Sequence, residues 1–542
     1  MIHHSHIRPG RCPGGYACAG KPMTHPNILV IQADQMTALC LSAYGKPYAI
    51  TPNIDKLAEN GTTFVNSYCN NPVCGPSRAS MMTGRLPSDI GVFDNGAEFL
   101  PSEPTYAHYL RTLGYKTTLS GKMHFVGPDQ LHGFEERLTT DIYPSDFAWT
   151  MDWDRTDEAY APSVMSLLSV VEAGHCQRNL QLDYDEEVFV AARKELYDHA
   201  RSTDDRPFML HVSFTQPHNP FVAGRKYWDM YEGRDIPEPE VPYIPYEDRD
   251  PWSQRYFMTI RQDEFEITPE QLHVSRRAYF AMVTHIDELV GGLIETLESI
   301  GQLHNTYVFL TSDHGEMLGE RGMWFKFNPY EASLRVPMIM QGPGVKAGHR
   351  EEALASLVDL LPTLTDIASG GSFDDFVAPR DGQSLFDRPE RYGPDDQVLV
   401  ESTGESLYGP AFIMIEGTKK LVYTCTDPKM FFDVQEDPLE LTNLAEAPEH
   451  QDQINRMFVA MMDRWDEADL QDRIRTSQRK RLYVQDAMKH GRFPSWDFGP
   501  DYDPGKVYVR GGTDPSTTAT KQRGRFPYVP VTPPQFPRDC KK

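Results

Sequence analysis

The sequence has no long apolar run, no closely spaced cysteine pair and no excess of positive charge. No stretch reaches the roughly 18 to 20 apolar residues of a membrane-spanning helix, which excludes that class. The first 25 residues contain His, Arg, Pro and Gly where a secretory peptide needs an apolar stretch, so we expect residues 1–25 to be the flexible leader of a cytoplasmic protein. The eight cysteines include no Cys-x-x-Cys pair, which argues against a disulfide scaffold or a thiolate metal site.

The charge balance is strongly acidic, with 53 Lys and Arg against 78 Asp and Glu and a net charge of −25. A surface of this sign repels nucleic acid and anionic membranes, so we expect neither as a partner. The apolar share of 39% and the charged share of 24% are typical of a folded protein. At about 150 residues per domain, the 542 residues allow two to four domains.

Alternating strand and helix patterns occupy most of the chain. Short apolar runs that indicate strands buried on both faces of a parallel sheet cover residues 27–32, 208–215 and 307–312. Helical patterns lie at 187–200 and 271–300, and Gly301 follows the second in the position of a helix C-cap. The alternation predicts an α/β fold over residues 26–390, with a large, mostly parallel central sheet flanked by helices.

The pattern changes after residue 390. Short strands with a hairpin turn at Gly417-Thr418 predict a small antiparallel sheet, and they cover residues 397–401, 412–416 and 420–424. A helix then presents the apolar stripe Ile454, Met457, Phe458, Met461 and Trp465. We expect a C-terminal α+β subdomain at 391–491 and an extended tail at 492–542 that lies in solvent or wraps a neighbour.

Polar side chains follow each of the three buried strands. Asp34 and Gln35 follow the first, His218 follows the second, and Asp313 and His314 follow the third. Because ligands of open α/β sheets bind beyond the carboxyl ends of the strands, we expect these side chains to share one site. The donors of Asp34-Gln35 and Asp313-His314 suit a hard divalent cation, Ca²⁺, or Mn²⁺ if the imidazole binds through nitrogen. Taken singly, each aspartate fits a loop cap equally well.

The segment CGPSR at residues 74–78 is the most informative in the chain. Pro76 suits the first turn of a short helix and Gly84 suits its end, so Cys74 is expected at a helix N-terminus, where backbone N–H groups attract anions. The bare pattern also fits a small buried cysteine beside a helix.

Further polar groups stand in loops. The cationic candidates are Lys122, His124, His218 and Lys326. Together with Arg78 and a metal they would form an electropositive pocket suited to an oxyanion ester, whereas each alone fits a solvated loop side chain. Asn95 would add a neutral donor, or would simply form an Asn-Gly turn.

In this order and context the residues resemble the type I sulfatases of the alkaline phosphatase superfamily, over residues 26–370. The resemblance implies an alkaline phosphatase-like fold and conversion of Cys74 to formylglycine by a separate formylglycine-generating enzyme. The hydrated aldehyde has two hydroxyls on one carbon, so that one attacks sulfur and the other, after losing its proton, lets the carbon expel sulfate. An ordinary Ser or Cys ester would need water to attack sulfur a second time.

The same resemblance implies a role for each site residue. The metal ligands, with the modified Cys74, would be Asp34, Gln35, Asp313 and His314. Arg78 would hold the formylglycine, Lys122 and His124 would face the hydrate and the sulfate, and His124 would accept the proton. His218 and Lys326 would meet the ester oxygens, with His218 as general acid. Many sulfatases have Asp-Asp and Asp-Asn where this chain has Asp-Gln and Asp-His, which leaves Ca²⁺ and Mn²⁺ open.

A narrower resemblance, to choline sulfatases, extends over nearly the whole chain. It is carried by SGKMHFVGPDQLHGFEERLTTDIYPSDFAW from residue 120, SDHGEMLGERGMW from residue 312, the DWD and VEAG segments, and WD and YVR in the tail. It implies choline-O-sulfate as the substrate and a pocket of aromatic faces and carboxylates for a quaternary ammonium. The candidates are Trp149, Trp153, Glu401, Glu405 and Asp497. Packing in the core is the alternative for both tryptophans.

In choline sulfatases the tail reaches a neighbouring subunit, which implies a homodimer or homotetramer here. Two departures, at 160–163 and at Glu331-Ala332, imply that the cation end of the pocket differs. Other functions stay open: a phosphonate monoester or phosphodiester hydrolase or an aryl sulfatase of the same superfamily, and a non-catalytic member that binds a cation or an osmolyte.

Overall fold

The computed structural model describes residues 25–142, 146–155, 165–387, 396–492 and 495–502. Residues 1–24 of the predicted leader at 1–25, the departure at 160–163, the predicted boundary at 390 and the YVR element of the tail lie outside the described residues.

The strands, in chain order, are β1 Asn27–Ala33, β2 Thr62–Phe64, β3 Ser67–Tyr68, β4 Lys116–Gly121, β5 Glu136–Arg137, β6 Gly174–Cys176, β7 Phe208–Ser213, β8 Val222–Gly224, β9 Thr306–Ser312, β10 Met338–Gln341, β11 His349–Glu351, β12 Ala355–Ser356, β13 Gln397–Ser402, β14 Ala411–Glu416, β15 Lys419–Thr424 and β16 Met430–Asp433. The helices are α1 Pro52–Glu59, α2 Cys74–Thr83, α3 Pro87–Ile90, α4 Tyr106–Thr112, α5 Leu168–Val171, α6 Leu180–Arg201, α7 Arg225–Asp229, α8 Pro251–Thr259, α9 Pro269–Ser299, α10 Glu331–Leu334, α11 Leu360–Ser369, α12 Gln451–Arg464 and α13 Glu467–Met488.

The central sheet has eight strands in the order β11-β2-β10-β9-β1-β7-β4-β5. Strands β9, β1, β7, β4 and β5 run parallel, and β10 is antiparallel to both of its neighbours. Every residue of β1 and β7 is buried, as the continuous apolar runs predict. Because β1, β7 and β9 are adjacent and parallel, the residues that follow them emerge at one edge of the sheet.

Long helices pack beside this sheet. Helix α9 contacts α1 and α6, and α6 also contacts β4 and β7. The predicted helix at 271–300 is confirmed but begins earlier, because Pro269 occupies its first turn and Thr268 and Gln271 form a reciprocal capping box. Gly301 follows its end with a φ of +69°, the left-handed conformation expected of a helix terminator.

The C-terminal part contains the predicted antiparallel sheet, in the order β13-β14-β15-β16. Gly417 has a φ of +58° at the predicted hairpin turn. The predicted stripe of α12 is buried at Ile454, Met457 and Met461, and Trp465 stacks on Phe412 with ring centroids 4.5 Å apart. The fold is therefore α/β with a smaller antiparallel unit, as predicted. In the described part of the chain, no helix has the length and apolar character needed to cross a membrane.

Candidate active site

The carboxyl ends of β1 and β9 and the first residue of α2 meet at one buried point. Asp34 follows β1, Asp313 and His314 follow β9, and Cys74 opens α2. One ligand atom from each of these four residues lies within 4.8 Å of the others, and all four side chains are buried. The strand ends therefore bring together groups that are up to 280 positions apart in the sequence, as Asp34 and His314 are.

Cys74 lies where the sequence predicts it, at the N-terminus of a helix whose ten residues are all buried. Its Sγ is 3.1 Å from Nε2 of His314 and 3.9 Å from Oδ1 of Asp34. Burial, reinforced by the negative charge of Asp34, raises the pKa of the Cys74 thiol to about 12. The unmodified side chain is therefore a neutral thiol at pH 7.

His314 directs one ring nitrogen into the cluster. Its Nδ1 lies 3.1 Å from the carbonyl oxygen of Gly315, to which it must donate, since a carbonyl oxygen only accepts. Nε2 then carries the lone pair that faces Cys74. Burial lowers the pKa of His314 to about 4, so the ring is neutral and suited to bind a metal through nitrogen.

Arg78 is a fully buried guanidinium that ties the two strand ends together. Its Nε donates to Oδ2 of Asp313 at 2.8 Å and its Nη2 donates to Oδ2 of Asp34 at 3.1 Å. Its Nη1 donates to the carbonyl oxygen of Lys122 at 2.6 Å and to Oγ of Ser213 at 2.8 Å. Arg78 thus fixes the geometry of both carboxylates and of the loop after β4.

Lys122 and His124 lie in the loop that follows β4, beside the same cluster. Lys122 forms a buried ion pair with Asp34. Burial by itself would raise the pKa of Asp34, but the charges of Lys122 and Arg78 hold it well below its usual range. Burial and the neighbouring Lys122 lower the pKa of His124 to about 4, so this imidazole is neutral. Its Nε2 lies 3.1 Å from the backbone oxygen of Asn95.

Lys326 and His218 form a second polar pair at the site. Nζ of Lys326 lies 2.9 Å from Nε2 of His218, and Nδ1 of His218 lies 2.7 Å from the carbonyl oxygen of Asn219. Because an ammonium group only donates, His218 accepts from Lys326 and donates to Asn219. Burial and the charge of Lys326 lower the pKa of His218 well below its usual range. The proton of the pair therefore resides on Lys326.

Gln35 stands beside this pair. Its Oε1 accepts from Nζ of Lys326 at 2.5 Å, and its backbone N–H donates to Oδ1 of Asp313 at 3.0 Å. The amide oxygen thus lies on the side of the site that holds the ammonium group.

Asn95 and Trp149 border the site on another side. Oδ1 of Asn95 accepts from the backbone N–H of Gly75 at 2.9 Å, so only its NH₂ group is available as a donor toward a ligand. Trp149 is half-buried and lies edge-on to His124, with ring centroids 5.3 Å apart. Its indole is the candidate aromatic face that directly adjoins a site residue.

The other candidates for the cation pocket lie in different surroundings. Trp153 is buried, donates through Nε1 to the carbonyl oxygen of Gly404, and has the guanidinium group of Arg475 over its ring. These contacts are those of a side chain packed in the core. Glu401 accepts from Ser88 and from Nε1 of Trp465, so both of its carboxylate oxygens already have protein donors. Asp497 is exposed and accepts from Ser495.

Glu405 differs from these candidates. It is 6% exposed, and its Oε2 has no hydrogen-bond partner within the described residues. Burial, reinforced by Asp94, raises the pKa of Glu405 to about 7, whereas the charge of Lys326 lowers it. A buried carboxylate with an unused oxygen near the site is a candidate partner for a cation.

Two residues that support the site were not predicted, although both belong to quoted motifs. Oδ2 of Asp141 accepts the backbone N–H groups of Met123 and His124, each at 3.0 Å. Glu316 accepts from Gln35 and from two backbone N–H groups of the loop before Lys326. Each quoted motif contains several acidic residues, so the sequence alone does not single out Asp141 or Glu316.

Known proteins resemble this chain over most of its length. A family model described as Sulfatase matches residues 26–371, and one described as Choline sulfatase enzyme C terminal matches residues 472–526. The choline-sulfatase of Rhizobium meliloti (strain 1021) is 43% identical over 504 residues, which are 92% of this chain and 98% of that protein. The arylsulfatase of Clostridium perfringens (strain 13 / Type A) is 30% identical over 465 residues, 79% of this chain and 92% of that protein.

The crystal structure of a phosphonate monoester hydrolase of Agrobacterium radiobacter has a TM-score of 0.63 at 23% identity and covers 81% of this chain and 95% of its own. At that identity it supports the fold alone. The family models and the relatives confirm the resemblance to sulfatases and, more narrowly, to choline sulfatases. The chain therefore belongs to the sulfatase family of sulfate ester hydrolases, in the group that carries the choline-sulfatase C-terminal segment.

Proposed function

We propose that this sulfatase hydrolyses choline-O-sulfate to choline and sulfate, with formylglycine derived from Cys74 and with a divalent metal. The observation that carries the proposal is the buried cluster of Asp34, Cys74, Asp313 and His314, whose ligand atoms lie within 4.8 Å of one another. Arg78, Lys122 and Lys326 surround the cluster with positive charge, which suits an anionic ester.

The donor chemistry of the cluster fits a metal ion. Two carboxylates and the Nε2 lone pair of His314 converge on one buried point. Oxygen donors favour Ca²⁺, and the imidazole nitrogen makes Mn²⁺ the alternative. Gln35 would add an amide oxygen. When bound, the metal would act as a Lewis acid that favours ionisation of a nearby hydroxyl.

Conversion of Cys74 needs a partner enzyme of the formylglycine-generating class. Cys74 is 1% exposed and opens a helix that is buried throughout, so another enzyme cannot reach it in the folded chain. We propose that the modification precedes folding.

The side chains around the cluster have separate roles in binding the ester and in proton transfer. Arg78 orients Asp34 and Asp313 and so holds the donor set in place. Lys122 and Lys326 bind the anionic group of the ester, and neutral His124 accepts a proton. Nζ of Lys326 holds the proton nearest to His218 Nε2, so we propose that this pair, rather than His218 alone, protonates the leaving-group oxygen.

For the cation end we propose Trp149 as the aromatic face and Glu405 as the carboxylate. Trp149 adjoins His124, and Glu405 is a buried carboxylate with an unused oxygen. An aromatic face backed by a carboxylate is the environment that binds a quaternary ammonium. Trp153 would support the pocket through its hydrogen bond to Gly404, next to Glu405. For Glu401 the contacts favour a structural role.

The substrate is tested by steady-state comparison of choline sulfate, an aryl sulfate and a phosphonate monoester on one preparation of the full chain. We expect the highest kcat/KM for choline sulfate. A preference for the phosphonate would favour the second candidate, a phosphonate monoester or phosphodiester hydrolase. Asp34-Gln35 and Asp313-His314 resemble the Asp-Gln and Asp-His pairs of related phosphonate monoester hydrolases. No turnover in protein whose Cys74 is shown by mass spectrometry to be converted would favour the non-catalytic candidate.

We also propose the division into 26–390, 391–491 and 492–542, with the tail as an arm in a homodimer or homotetramer. Within the described residues Trp496 packs against Phe147, and Phe498 lies over Arg137, at a distance of 5.4 Å from the guanidinium carbon to the ring centroid. Deletion of the residues after Arg492 should weaken choline sulfate turnover and assembly together. Normal kinetics in a monomeric truncation would refute the shared arm.

A cytoplasmic location is likewise proposed. It is supported by the described cysteines, which are all free thiols, as expected in a reducing compartment. Cell fractionation followed by immunodetection tests it.

A further inference from the structure

The side-chain amide of Gln35 is held at both ends by charged groups. Its Oε1 lies 2.5 Å from Nζ of Lys326, and its Nε2 lies 2.5 Å from Oε2 of Glu316. An ammonium group only donates and a carboxylate only accepts, so the two contacts define the direction of the amide without ambiguity. Gln35 and Glu316 are buried, so water does not compete for these hydrogen bonds.

We propose that Glu316 is a positioning residue that fixes which end of the Gln35 amide faces the active site. The inference rests on the proposed metal-dependent function, because its consequence is an oxygen, rather than an NH₂ group, on the side of the metal cluster. An aspartate needs no such help, since both of its carboxylate oxygens can bind a metal. Glutamine has one useful end, and a neighbouring acceptor must hold the other.

Glu316 can play this part because its second oxygen is already committed. Oε1 accepts the backbone N–H groups of Leu318 at 2.8 Å and of Phe325 at 2.6 Å. Oε2 is therefore left for the NH₂ group of Gln35. A glutamine at 316 would keep its oxygen on the two backbone donors and would turn its own NH₂ group toward Gln35. Two NH₂ groups would then face each other, and the Gln35 NH₂ group would keep only its longer contact, 3.3 Å to Oδ1 of the neutral Asn219. The amide would therefore lose the charged acceptor that does most to fix its direction.

The same carboxylate also holds the loop that delivers Lys326. Leu318 and Phe325 have φ values of +50° and +66°, a backbone conformation that residues other than glycine rarely adopt. Glu316 thus acts on both partners that face it across the site, Gln35 directly and Lys326 through the loop. An experiment must separate the two effects.

The test is the dissociation constant of Ca²⁺ and of Mn²⁺, titrated calorimetrically at pH 8 into the full chain after its metal is removed with a chelator. Glu316→Gln is measured alone and in a Gln35→Met background. The swapped pair, Gln35→Glu with Glu316→Gln, restores a donor facing an acceptor. Glu320→Gln is the matched control, since this nearby carboxylate also accepts two backbone N–H groups, those of Glu240 and Val241.

We expect Glu316→Gln to weaken metal binding by about 10- to 100-fold, the usual effect of losing a partner that orients a ligand. It should cause no further loss in the Gln35→Met background, and the swapped pair should bind at least as tightly as the parental protein. Glu320→Gln should leave the dissociation constant unchanged.

An unchanged dissociation constant in Glu316→Gln, or an equal loss in both backgrounds, would overturn the inference, since Glu316 would then act through the loop or not at all. If Glu316→Gln does not fold, the swapped pair decides: a folded swap that binds no metal refutes the inference. A parental protein that binds neither ion would instead contradict the proposed metal site, so the two failures are distinguishable.

Discussion

Cys74 combines complete burial with contacts to two of the proposed metal ligands, His314 and Asp34. Its replacement by alanine removes only a small side chain at the start of a helix, so the fold should survive. We expect Cys74→Ala to lower the rate of sulfate release by about 10⁴-fold or more, as the loss of a nucleophile does elsewhere. Sulfate release and the circular dichroism spectrum are the measurements.

Cys69→Ala is the matched control for this variant. Cys69 is equally buried, but the sulfur contact described for it is with the carbonyl oxygen of Ser333 at 4.0 Å. Its replacement should leave the turnover number close to that of the parental protein. Substantial activity in Cys74→Ala would end the formylglycine proposal.

Glu405 should lower the stability of the folded protein above about pH 5 and contribute to binding of the substrate. Its pKa is raised by burial to about 7 in the folded protein, from an ordinary value of 4.5. The folded state therefore binds more protons than the unfolded state between these values, and stability falls as pH rises through that window. Glu405→Gln should raise the free energy of unfolding at pH 8 by up to about 3 kcal/mol, with little change at pH 4.

The same variant should raise the KM for choline sulfate, because the quaternary ammonium loses its carboxylate. Urea denaturation at pH 4 and pH 8 measures the first effect, and steady-state kinetics measures the second. A stability difference that is the same at both pH values would show that the carboxylate does not titrate as stated. An unchanged KM would remove Glu405 from the proposed pocket.

At the scale of elements, one carboxylate accepts two consecutive backbone N–H groups of the loop after β4. Asp141 receives the N–H groups of Met123 and His124, and His124 has a φ of +60° that the loop must maintain. Removal of this carboxylate frees the loop and misplaces the imidazole. We expect Asp141→Ala to lower kcat by about 10²-fold, the typical result of a displacement of about 1 Å in a catalytic group.

Asp129→Ala provides the comparison, since Asp129 also accepts two backbone N–H groups, those of Leu131 and His132, in the same region of the chain. It should change kcat little. A parallel loss of kcat in both variants would indicate general loosening of the region instead of positioning of His124. Thermal denaturation of both variants gives the accompanying stability change.

At the scale of the whole molecule, a buried charge cluster joins the C-terminal sheet to helix α10. Lys420 in β15 is fully buried and donates to Glu331 in α10 at 2.9 Å, and it pairs with Glu440 in the loop after β16. Removal of the lysine leaves two carboxylates buried together. We expect Lys420→Met to lower the free energy of unfolding by about 3–5 kcal/mol, as measured when one partner of a buried pair is lost.

Lys419→Met is the matched control, because Lys419 is adjacent in the strand but forms a half-buried ion pair with Asp433 that remains in contact with solvent. Its loss should cost less than about 1 kcal/mol. Calorimetric unfolding of both variants is the measurement. Equal destabilisation would show that the buried cluster does not join the two parts of the molecule.

Local patterns in the sequence determined the fold class and most of the cluster. The apolar runs of β1, β7 and β9 mark strands buried on both faces, and burial on both faces requires helices above and below a parallel sheet. Because such strands end at one edge, Asp34, Asp313 and His314 could be expected to meet. The residues of CGPSR could be placed at a helix N-terminus for an equally local reason.

The tertiary structure alone decided where each polar group finds its partner. Glu401 and Glu405 lie four residues apart in one segment, yet Glu401 is bound by Ser88 and Trp465, while one oxygen of Glu405 is left without a partner among the described residues. Likewise, the direction of the Gln35 amide depends on Lys326 and Glu316, which lie about 280 to 290 positions away. Side-chain periodicity is a local property, whereas a buried polar group is satisfied by whatever donor or acceptor the folded chain brings against it.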